Sequence, residues 1–461
     1  MSKTRILLGS ALALSLAAFM SAVTKPRPFV AKPGEVAVSK SGAVRIEARP
    51  SHTAVHENGG ELFAEYTVTL QGEAAKADFS PNAVAPGGFD QAISLALVLD
   101  TSGSMSGSKM EDARKAAHRL VDLLTERDEL ALVTFGTELT VAERRHISPE
   151  SRASFHAAID ALQAAGSTNI SGGLEAGWNA LRGAPGARRL MLVSDGQPTV
   201  GLITEGELAA LSGRVHDDAI TVTALGVGAD IDGALMIHLS ERGGGMYGYL
   251  KDAGTLEEIL GREVTAARSA IARNVELEFD TQHFRVAEVP GRHLDWKNGR
   301  AVLHLADLRP NTPTRVLVRL ESLRADVGTA ARLGAVVNWR PLEGAPQRSE
   351  VDFSVAVVED ERTVTASRDE AVFSRGIGAV GSLKLVAAAA AWERGDTVGA
   401  SNLLDNARAL FGMSADALAG QSEVDDVRRT FGSASAGQRK EMTRKLEKKK
   451  LTNFGRENEG Y

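Results

Sequence analysis

The stretch LVLDTSGSMSGSKM, residues 97–110, carries an apolar run directly into a series of small polar residues. The apolar part ends at Asp100 and is nearly continuous, as in a strand that is covered on both faces. Thr101, Ser102 and Ser104 follow, and none of these side chains is large enough to fill a hydrophobic core. The stretch therefore predicts a buried strand whose end presents oxygen atoms rather than packing groups.

Outward from this stretch, residues 91–267 alternate between apolar strand-like runs and segments of helical periodicity. The predicted strands are residues 93–100, 130–136, 189–195 and 219–228. The predicted helices are residues 109–124, 151–162, 172–183, 204–216, 232–241 and 255–267, with Ser151 as the expected cap of the second. This alternation predicts an α/β fold, a doubly wound and mostly parallel sheet with helices on both faces.

Two further polar loops follow predicted elements of this sheet. Thr168 lies in GSTNISGGL, residues 166–174, and Asp195 ends a buried run in LVSDGQPT, residues 192–199. Because ligands of open parallel sheets bind at the carboxyl ends of the strands, we expect these loops to converge. The expected site comprises two carboxylates and three hydroxyls, from Asp100, Ser102, Ser104, Thr168 and Asp195. This all-oxygen set suits Mg²⁺, and its low charge leaves the ion able to accept an Asp or Glu from a partner protein.

The motif DTSGS, the threonine of GSTNI and the aspartate of SDGQPT, in this order, resemble the metal-ion-dependent adhesion site of von Willebrand factor type A (vWA) domains, including integrin I domains. The run GGGMYGYLKD, residues 243–252, is also similar to this family. The resemblance covers residues 91–267 and implies a Rossmann-like vWA sheet. It implies that the five residues ligate Mg²⁺, with Mn²⁺ and Ca²⁺ as alternatives, directly or through water. It also implies that ligand binding shifts the last helix, residues 255–267.

The sequence on both sides of this domain has the period of strands. Residues 43–90 contain two strand-like runs and then a hinge-like Ala85-Pro86-Gly87-Gly88, and residues 274–360 contain six short runs separated by turns. Two strands alone have no core, so we expect them to pair with the later ones in an antiparallel β-sandwich into which the vWA domain is inserted. Residues 366–450 predict a helical region, with two helices joined at Gly395-Asp396, and residues 451–461 predict a disordered tail.

The first residues have the layout of a secretory signal peptide. Lys3 and Arg5 precede an uncharged run that ends at residue 23, and this run could also remain as a membrane anchor. Residues 24–42 are rich in Pro, Lys, Gly and Ser and predict a linker. No other segment reads as long and apolar enough to span a membrane. The expected localisation is therefore exported: periplasmic, cell-surface or secreted.

Composition excludes several classes of function. The 461-residue chain has a net charge of −6, which argues against general binding to nucleic acid. It contains no cysteine, so disulfides, zinc-thiolate sites and thiol nucleophiles are all excluded. The ten histidines form no HExxH or other metal-binding pattern, and His118 and His156 are expected to be surface or packing residues of helices. No GxSxG motif surrounds Ser102, and we therefore expect a protein that is not an enzyme.

The sequence thus favours an exported, metal-dependent binding protein, for adhesion or as a scaffold, whose partner is a protein that offers an Asp or Glu to the ion. A vWA domain between β-strands and a helical tail resembles bacterial exported proteins, and in arrangement also inter-alpha-trypsin inhibitor heavy chains and calcium-activated chloride channel regulators. The alternative is a non-catalytic vWA subunit of a larger enzyme or channel assembly. A hydrolase, supported only by the polarity of the cleft, is the third hypothesis.

Overall fold

The computed structural model describes residues 32–433 and scattered positions from 435 to 450, apart from residues 33, 40–42, 72–90, 229–232, 251–252, 311 and 342–343. The segment with the signal-peptide layout, most of the predicted linker, the Pro86 hinge and the C-terminal tail lie outside these residues. The described chain forms an α/β domain, a β-sandwich and a helical region.

The α/β domain alternates strands and helices from residue 93 to residue 269. Its strands are β5 (Ile93–Asp100), β6 (Glu129–Phe135), β7 (Leu139–His146), β8 (Ala187–Ser194), β9 (Ile220–Val227) and β10 (Gly244–Leu250). Its helices are α1 (Ser108–Leu123), α2 (Pro149–Asp160), α3 (Ile170–Leu181), α4 (Glu205–Asp217), α5 (Gly233–Arg242) and α6 (Ala253–Ser269). The strand order is β10-β9-β8-β5-β6-β7, and every neighbouring pair is parallel except β6 with β7. The predicted doubly wound, mostly parallel sheet is confirmed.

Burial on both faces explains why the central strands are so apolar. All eight residues of β5 and of β9 are buried, and separate hydrophobic clusters lie on the two faces of the sheet. Each fully buried leucine or valine contributes about 1.5–3 kcal/mol, so the central strands hold the domain together. Helix α2 begins two residues earlier than expected, because Ser148 rather than Ser151 is its cap. Their two side chains accept reciprocally from each other's backbone amides, at 3.1 and 2.8 Å.

The β-sandwich uses strands from both sides of the α/β domain. Before the domain lie β1 (Ala37–Val38), β2 (Val44–Pro50), β3 (Ala54–His56) and β4 (Gly60–Leu70). After it lie β11 (Ala272–Phe279), β12 (Phe284–Glu288), β13 (Asp295–Lys297), β14 (Arg300–Leu305), β15 (Thr314–Ser322), β16 (Ala330–Pro341) and β17 (Gln347–Val358). One sheet has the order β1-β2-β4-β15-β12 and the other β13-β14-β11-β16-β17-β3. The predicted insertion of the vWA-like sheet into a sandwich is confirmed.

The pairing between early and late strands is extensive. β4 pairs with β15 in an antiparallel register that runs from Thr314 opposite Val68 to Ser322 opposite Gly60. Burial alternates along β2, as expected when one face packs on the core and the other is solvated. The two sheets meet in a core in which the rings of Tyr66 and Phe279 contact edge to face at 5.5 Å.

The chain enters and leaves the α/β domain at nearly the same point. The side-chain amide of Gln91 donates to the backbone carbonyls of Ala267 and Ala270, at 2.9 and 2.8 Å. Farther along the junction, Arg189 of β8 pairs with Asp307 at 2.6 Å, and both side chains are only 6% exposed. Gln91 therefore holds the two ends of the inserted domain together, and a buried ion pair joins the domain to the sandwich.

The C-terminal region is helical, as predicted. It contains α7 (Glu361–Ala366), α8 (Glu370–Glu393), α9 (Thr397–Phe411) and α10 (Ala419–Ser433). Gly395, at φ +85°, and the capping side chain of Asp396 make the turn between α8 and α9.

Helix α8 corrects one expectation from the sequence. By length and composition α8 could cross a membrane, whereas from the sequence we expected no such segment other than the N-terminal one. In this fold 56% of its apolar window is buried, against Phe63 of β4 and against the later helices. Buried apolar surface of this kind is what a core helix needs, and we interpret α8 as the core of the helical region.

Candidate metal centre

The two aspartates of the predicted site lie side by side at one edge of the parallel sheet. Asp100 is the last residue of β5, and Asp195 follows the last residue of β8. β5 and β8 are adjacent and parallel, with Leu99 opposite Val193, so both strands end at the same level. Each aspartate is 1% exposed. The sheet topology thus brings together two carboxylates that are separated by almost a hundred residues of sequence.

The serines of the first loop are arranged around Asp100. The backbone amide of Ser102 donates to Asp100 Oδ1 at 2.8 Å, and the hydroxyls of Ser102 and Ser104 are 3.0 Å apart. A short 3₁₀ turn, Gly103–Met105, fixes this loop because the Met105 side chain is fully buried. Ser102 is buried, whereas Ser104 is exposed. The hydroxyl pair therefore leads from the carboxylates toward the surface.

Thr168 belongs to a second loop that hydrogen-bonds to both of the others. Its amide donates to Thr199 Oγ1 at 2.8 Å, and its carbonyl accepts from the Thr199 amide at 2.9 Å. In the same loop, the Gly166 carbonyl accepts from the Gly103 amide at 3.0 Å. Gly166 has φ +82°, and a Cβ there would lie 1.9 Å from the Thr137 hydroxyl, so this close approach of loops requires glycine. All five predicted residues lie on three loops that are tied to one another.

Burial makes this pair of carboxylates unfavourable without a cation. Burial raises the pKa of Asp100, and the negative charge of Asp195 adds to this effect, against hydrogen bonds from Ser102 and Ser194. Asp195 Oδ1 is buried and has no hydrogen-bond partner among the residues that the structure describes. Since buried polar atoms are almost always paired, this orphaned oxygen is an observation that a bound cation would explain. The hard oxygen donors and the free carboxylate oxygen fit a Mg²⁺-type ion.

Two polar contacts of the site were not predicted from the sequence. The Ser194 hydroxyl donates to Asp100 Oδ2 and accepts from the Gly196 amide at 3.0 Å. The Lys109 ammonium lies 3.1 Å from Asp195 Oδ2. Ser194 directly precedes Asp195, and Lys109 lies in the first turn of α1, just after the serine loop. Their closeness in sequence to the predicted site residues is the signal that could have indicated these contacts. Ser194 orients Asp100, and Lys109 neutralises part of the charge of Asp195.

A second group of titratable side chains lies between the α/β domain and the sandwich. Asp217, Glu276 and His304 each offer a ligand atom within 4.8 Å of the others. However, the Lys297 ammonium lies 2.9 Å from Asp217 and 2.8 Å from Glu276, and His304 Nε2 lies 3.1 Å from Asp295. A lysine therefore supplies the positive charge of this group, and we interpret it as an interdomain ion-pair network.

Comparisons with known proteins agree with the fold of the α/β domain. A family model described as von Willebrand factor type A domain matches residues 94–262. An uncharacterized protein of Escherichia coli, YfbK, is 29% identical over 194 residues, which are 41% of this chain and 34% of that protein. Inter-alpha-trypsin inhibitor heavy chain H2 of Sus scrofa is 27% identical over 248 residues, 50% of this chain and 26% of the heavy chain. This chain thus spans about a third or less of the length of these curated relatives.

The fold as a whole also has a solved counterpart. A structure titled von Willebrand factor type A from Catenulispora acidiphila superposes with a TM-score of 0.67 at 17% identity, and the match covers 88% of this chain and 96% of that one. At this identity the match shows the fold alone. It extends well beyond the α/β domain, so the sandwich and helical region belong to the shared architecture.

Proposed function

The chain is a von Willebrand factor type A domain protein, and we propose that it binds a partner protein through a divalent cation held by Asp100, Ser102, Ser104, Thr168 and Asp195. Domains of this type serve in protein interaction and adhesion and commonly bind a divalent metal. The observation that carries the metal-dependent form of this proposal is Asp195 Oδ1. This buried carboxylate oxygen lies beside a second buried carboxylate and has no hydrogen-bond partner in the described part of the chain.

The protein's own groups prepare the site for such an ion. The Ser102 amide and the Ser194 hydroxyl hold the two oxygens of Asp100, so this carboxylate has little freedom to turn. The hydroxyls of Ser102 and Ser104 add neutral oxygen donors, which keep the net negative charge low. When bound, Mg²⁺ supplies a strongly attractive point for an acidic side chain from outside. Exposed Ser104 marks the side from which that side chain would approach.

We propose a binding function rather than catalysis. The hydroxyls of Ser102 and Ser104 hydrogen-bond to each other, and the hydrogen-bond partners of the site described above include no imidazole that could act as a general base for them. The carboxylates face serine hydroxyls, which suit cation binding, and one oxygen of Asp195 faces the Lys109 ammonium.

Metal binding can be tested directly by titrating Mg²⁺ or Mn²⁺ into the protein by calorimetry. We expect Asp100→Ala and Asp195→Asn each to weaken the affinity at least about tenfold, since each removes a carboxylate that faces the ion. Asp112→Asn, on the surface of α1, is the matched control and should bind like the wild type. Equal affinity in wild type and Asp100→Ala would rule out this metal site.

The partner should be sought by pull-down from the native envelope fraction, with and without a chelator. We expect at least one protein that is retained by the wild type with Mg²⁺ and lost both with chelator and with Asp100→Ala. A set of partners that is independent of metal would contradict the proposed mode of binding.

Export is a further part of the proposal and rests on the N-terminal sequence pattern. Mass spectrometry of the native protein after fractionation of its cells tests it. We expect recovery from the envelope or medium. Recovery in the cytosol with Met1 intact would instead favour the alternative function, a non-catalytic subunit of a larger enzyme or channel assembly.

A further inference from the structure

Two histidines of the α/β domain face each other on neighbouring helices, away from the strand ends that carry the candidate metal centre. His118 lies on α1 and His156 on α2, and their Nδ1 atoms are 2.6 Å apart. The two side chains are 29% and 28% exposed, so they are half-buried but reachable by solvent. They were expected to be independent surface or packing residues, and only the packing of the two helices brings them together.

The rings meet tip to tip rather than face to face. Their planes are inclined by only 27°, and their centroids are 4.9 Å apart. That separation is what two imidazoles reach when their Nδ1 atoms point straight at each other at the observed distance. Stacked rings with the same centroid separation would not bring two nitrogens so close. Each Nδ1 is therefore aimed at the other along its lone-pair direction.

The other nitrogen of each ring is held by a carboxylate. His118 Nε2 lies 2.9 Å from Asp160 Oδ1, and His156 Nε2 lies 3.1 Å from Asp122 Oδ1. A ring nitrogen that donates to a carboxylate carries the hydrogen, so the opposite nitrogen presents a lone pair. Two lone pairs facing each other at 2.6 Å repel unless a positive charge lies between them. A positive charge is therefore expected between the rings: a shared proton fits the 2.6 Å gap as it stands, and a metal ion fits once the two nitrogens have moved apart.

We propose that His118 and His156 form a second metal site, which binds a borderline transition-metal dication such as Zn²⁺ through the two Nδ1 atoms. A histidine that ligates a metal through one nitrogen and donates the other to a carboxylate is the common arrangement in zinc proteins, and here it occurs twice. Two Nδ1 ligands of one tetrahedral zinc ion lie about 3.3 Å apart, and their lone pairs converge on the ion. To admit zinc, the two nitrogens must therefore move apart from 2.6 Å and both rings must turn, so that the lone pairs no longer face each other. Water can supply the remaining ligands because the pair is solvent-accessible.

This site differs from the centre at the strand ends in the metal that it selects. Imidazole nitrogen suits Zn²⁺ and Cu²⁺ and is a poor ligand for Mg²⁺, which prefers oxygen. Asp122 and Asp160 offset part of the charge of the ion, and Arg152, 4.0 Å from Asp122, moderates that effect. The inference does not depend on the proposed adhesion function, since no residue is shared between the two sites.

Calorimetric titration of Zn²⁺ into the full-length protein tests the proposal. For this titration the protein should be produced without a polyhistidine tag. Saturating Mg²⁺ should be present to occupy the oxygen-donor site. We expect one zinc ion per chain in the wild type and in Asp100→Ala. His118→Gln and His156→Gln should each lower the zinc affinity by more than about tenfold, and Asp160→Asn by about tenfold.

The matched control is His146→Gln. His146 is 70% exposed and also lies beside a carboxylate, Glu129 at 3.1 Å, but none of the described residues places a second imidazole against it. It should bind zinc like the wild type. Unchanged Mg²⁺ affinity and circular dichroism show that the histidine variants are folded. The proposal would be overturned if the wild type and the double variant His118→Gln/His156→Gln bound zinc equally well, or if neither bound it. The contact between the rings would then be a hydrogen bond with a shared proton.

Discussion

Lys109 is positioned to tune the charge of the candidate metal centre. Its ammonium contacts Asp195 Oδ2, while Asp195 Oδ1 has no hydrogen-bond partner within the described ranges. The side chain is 21% exposed and lies against Gly228, where an added Cβ would be 2.5 Å from Lys109 Cε. The lysine is therefore held over the site, with one oxygen of Asp195 neutralised and the other left for a metal ion.

At this residue we predict that Lys109→Met raises the affinity for Mg²⁺ by about tenfold, because the variant removes a positive charge that repels the ion at close range. Calorimetric titration of Mg²⁺ measures the effect, and raised salt should reduce it.

Lys115→Met, on the same helix and 62% exposed, is the control for that substitution and should leave the affinity unchanged. Weaker binding by Lys109→Met would contradict the electrostatic role and show instead that the lysine is needed to hold Asp195 in its orientation.

The donor set could be predicted from the sequence because each of its residues sits at a recognisable strand end or in a glycine-flanked loop. Asp100 and Asp195 both terminate apolar runs, and Thr168 lies two residues after Gly166. Lys109 could not be assigned in this way, because its contact arises from the packing of α1 beside β8 and β9. The pairing of His118 with His156 depends likewise on how α1 and α2 meet.

Helix α6 carries a buried carboxylate that links it to the sheet. Glu263 accepts a hydrogen bond from the Thr223 hydroxyl at 3.0 Å, and its charge faces Arg189, Arg309 and Asp307. Burial raises the pKa of Glu263, although the Arg189 charge acts in the opposite direction. Because α6 ends only a few residues before β11, any displacement of this helix would be felt in the sandwich.

For this helix we predict that Glu263→Gln loses less stability than the wild type as the pH rises. The ordinary pKa of Glu is 4.5, and the folded value is higher, so folding is favoured most below pH 4.5 and is weakened as pH rises through the folded pKa. Glutamine keeps an acceptor for Thr223 without the charge. Thermal unfolding from pH 4.5 to 8 should show the variant gaining on the wild type as pH rises.

Glu175→Gln, an exposed glutamate of α3, serves as the comparison for Glu263→Gln and should follow the wild-type pH profile. If Glu263→Gln unfolds at a lower temperature than the wild type at pH 8, the ionised carboxylate is stabilising there and its pairing with Arg189 outweighs the cost of burial.

Strands were predictable where hydrophobic patterning was strong and were missed where it was weak. β5, β8 and β9 are almost entirely apolar because both faces are covered. β7 was missed because it is an edge strand whose residues, LTVAERRH, are largely exposed. β10, GGMYGYL, was interpreted as a glycine run, because glycine is unusual in strands; an added Cβ at Gly245 would lie 2.2 Å from the Val222 carbonyl oxygen.

At the scale of the whole molecule, the inserted domain has the features of an independent folding unit. It has its own sheet and two hydrophobic clusters, and its ends are held together by Gln91. We predict that residues 91–270 produced alone fold and bind Mg²⁺ within about threefold of the full-length affinity, since all five site residues lie within the domain. Circular dichroism on heating and calorimetry provide the measurements.

The separated domain should unfold at a lower temperature than the same domain in the full chain. Arg189 no longer has its ion-pair partner Asp307, and the surface buried at the junction becomes exposed to solvent. Loss of a cooperative transition in residues 91–270 would show that the sandwich is required for folding.

The overall architecture could be predicted because two early strands without a core need partners elsewhere. The particular partners of the early strands could not be predicted, because several later strands have similar alternating sequences. In the structure β4 pairs with β15 and β3 pairs with β17. The register is fixed by how the two sheets and α8 pack together. This packing cannot be deduced from the hydrophobic pattern of the sequence.

The pairing of β4 with β15 has a consequence for the newly made chain. Leu70 leaves the ribosome before any residue of the inserted domain and Thr314 only after all of them, and at roughly 5–20 residues per second this delay is on the order of tens of seconds. Throughout that time one edge of β4 lacks its neighbour while the later domain is already folding. We expect the emerging β2–β4 pair to be the segment of the nascent polypeptide most in need of shielding from other chains.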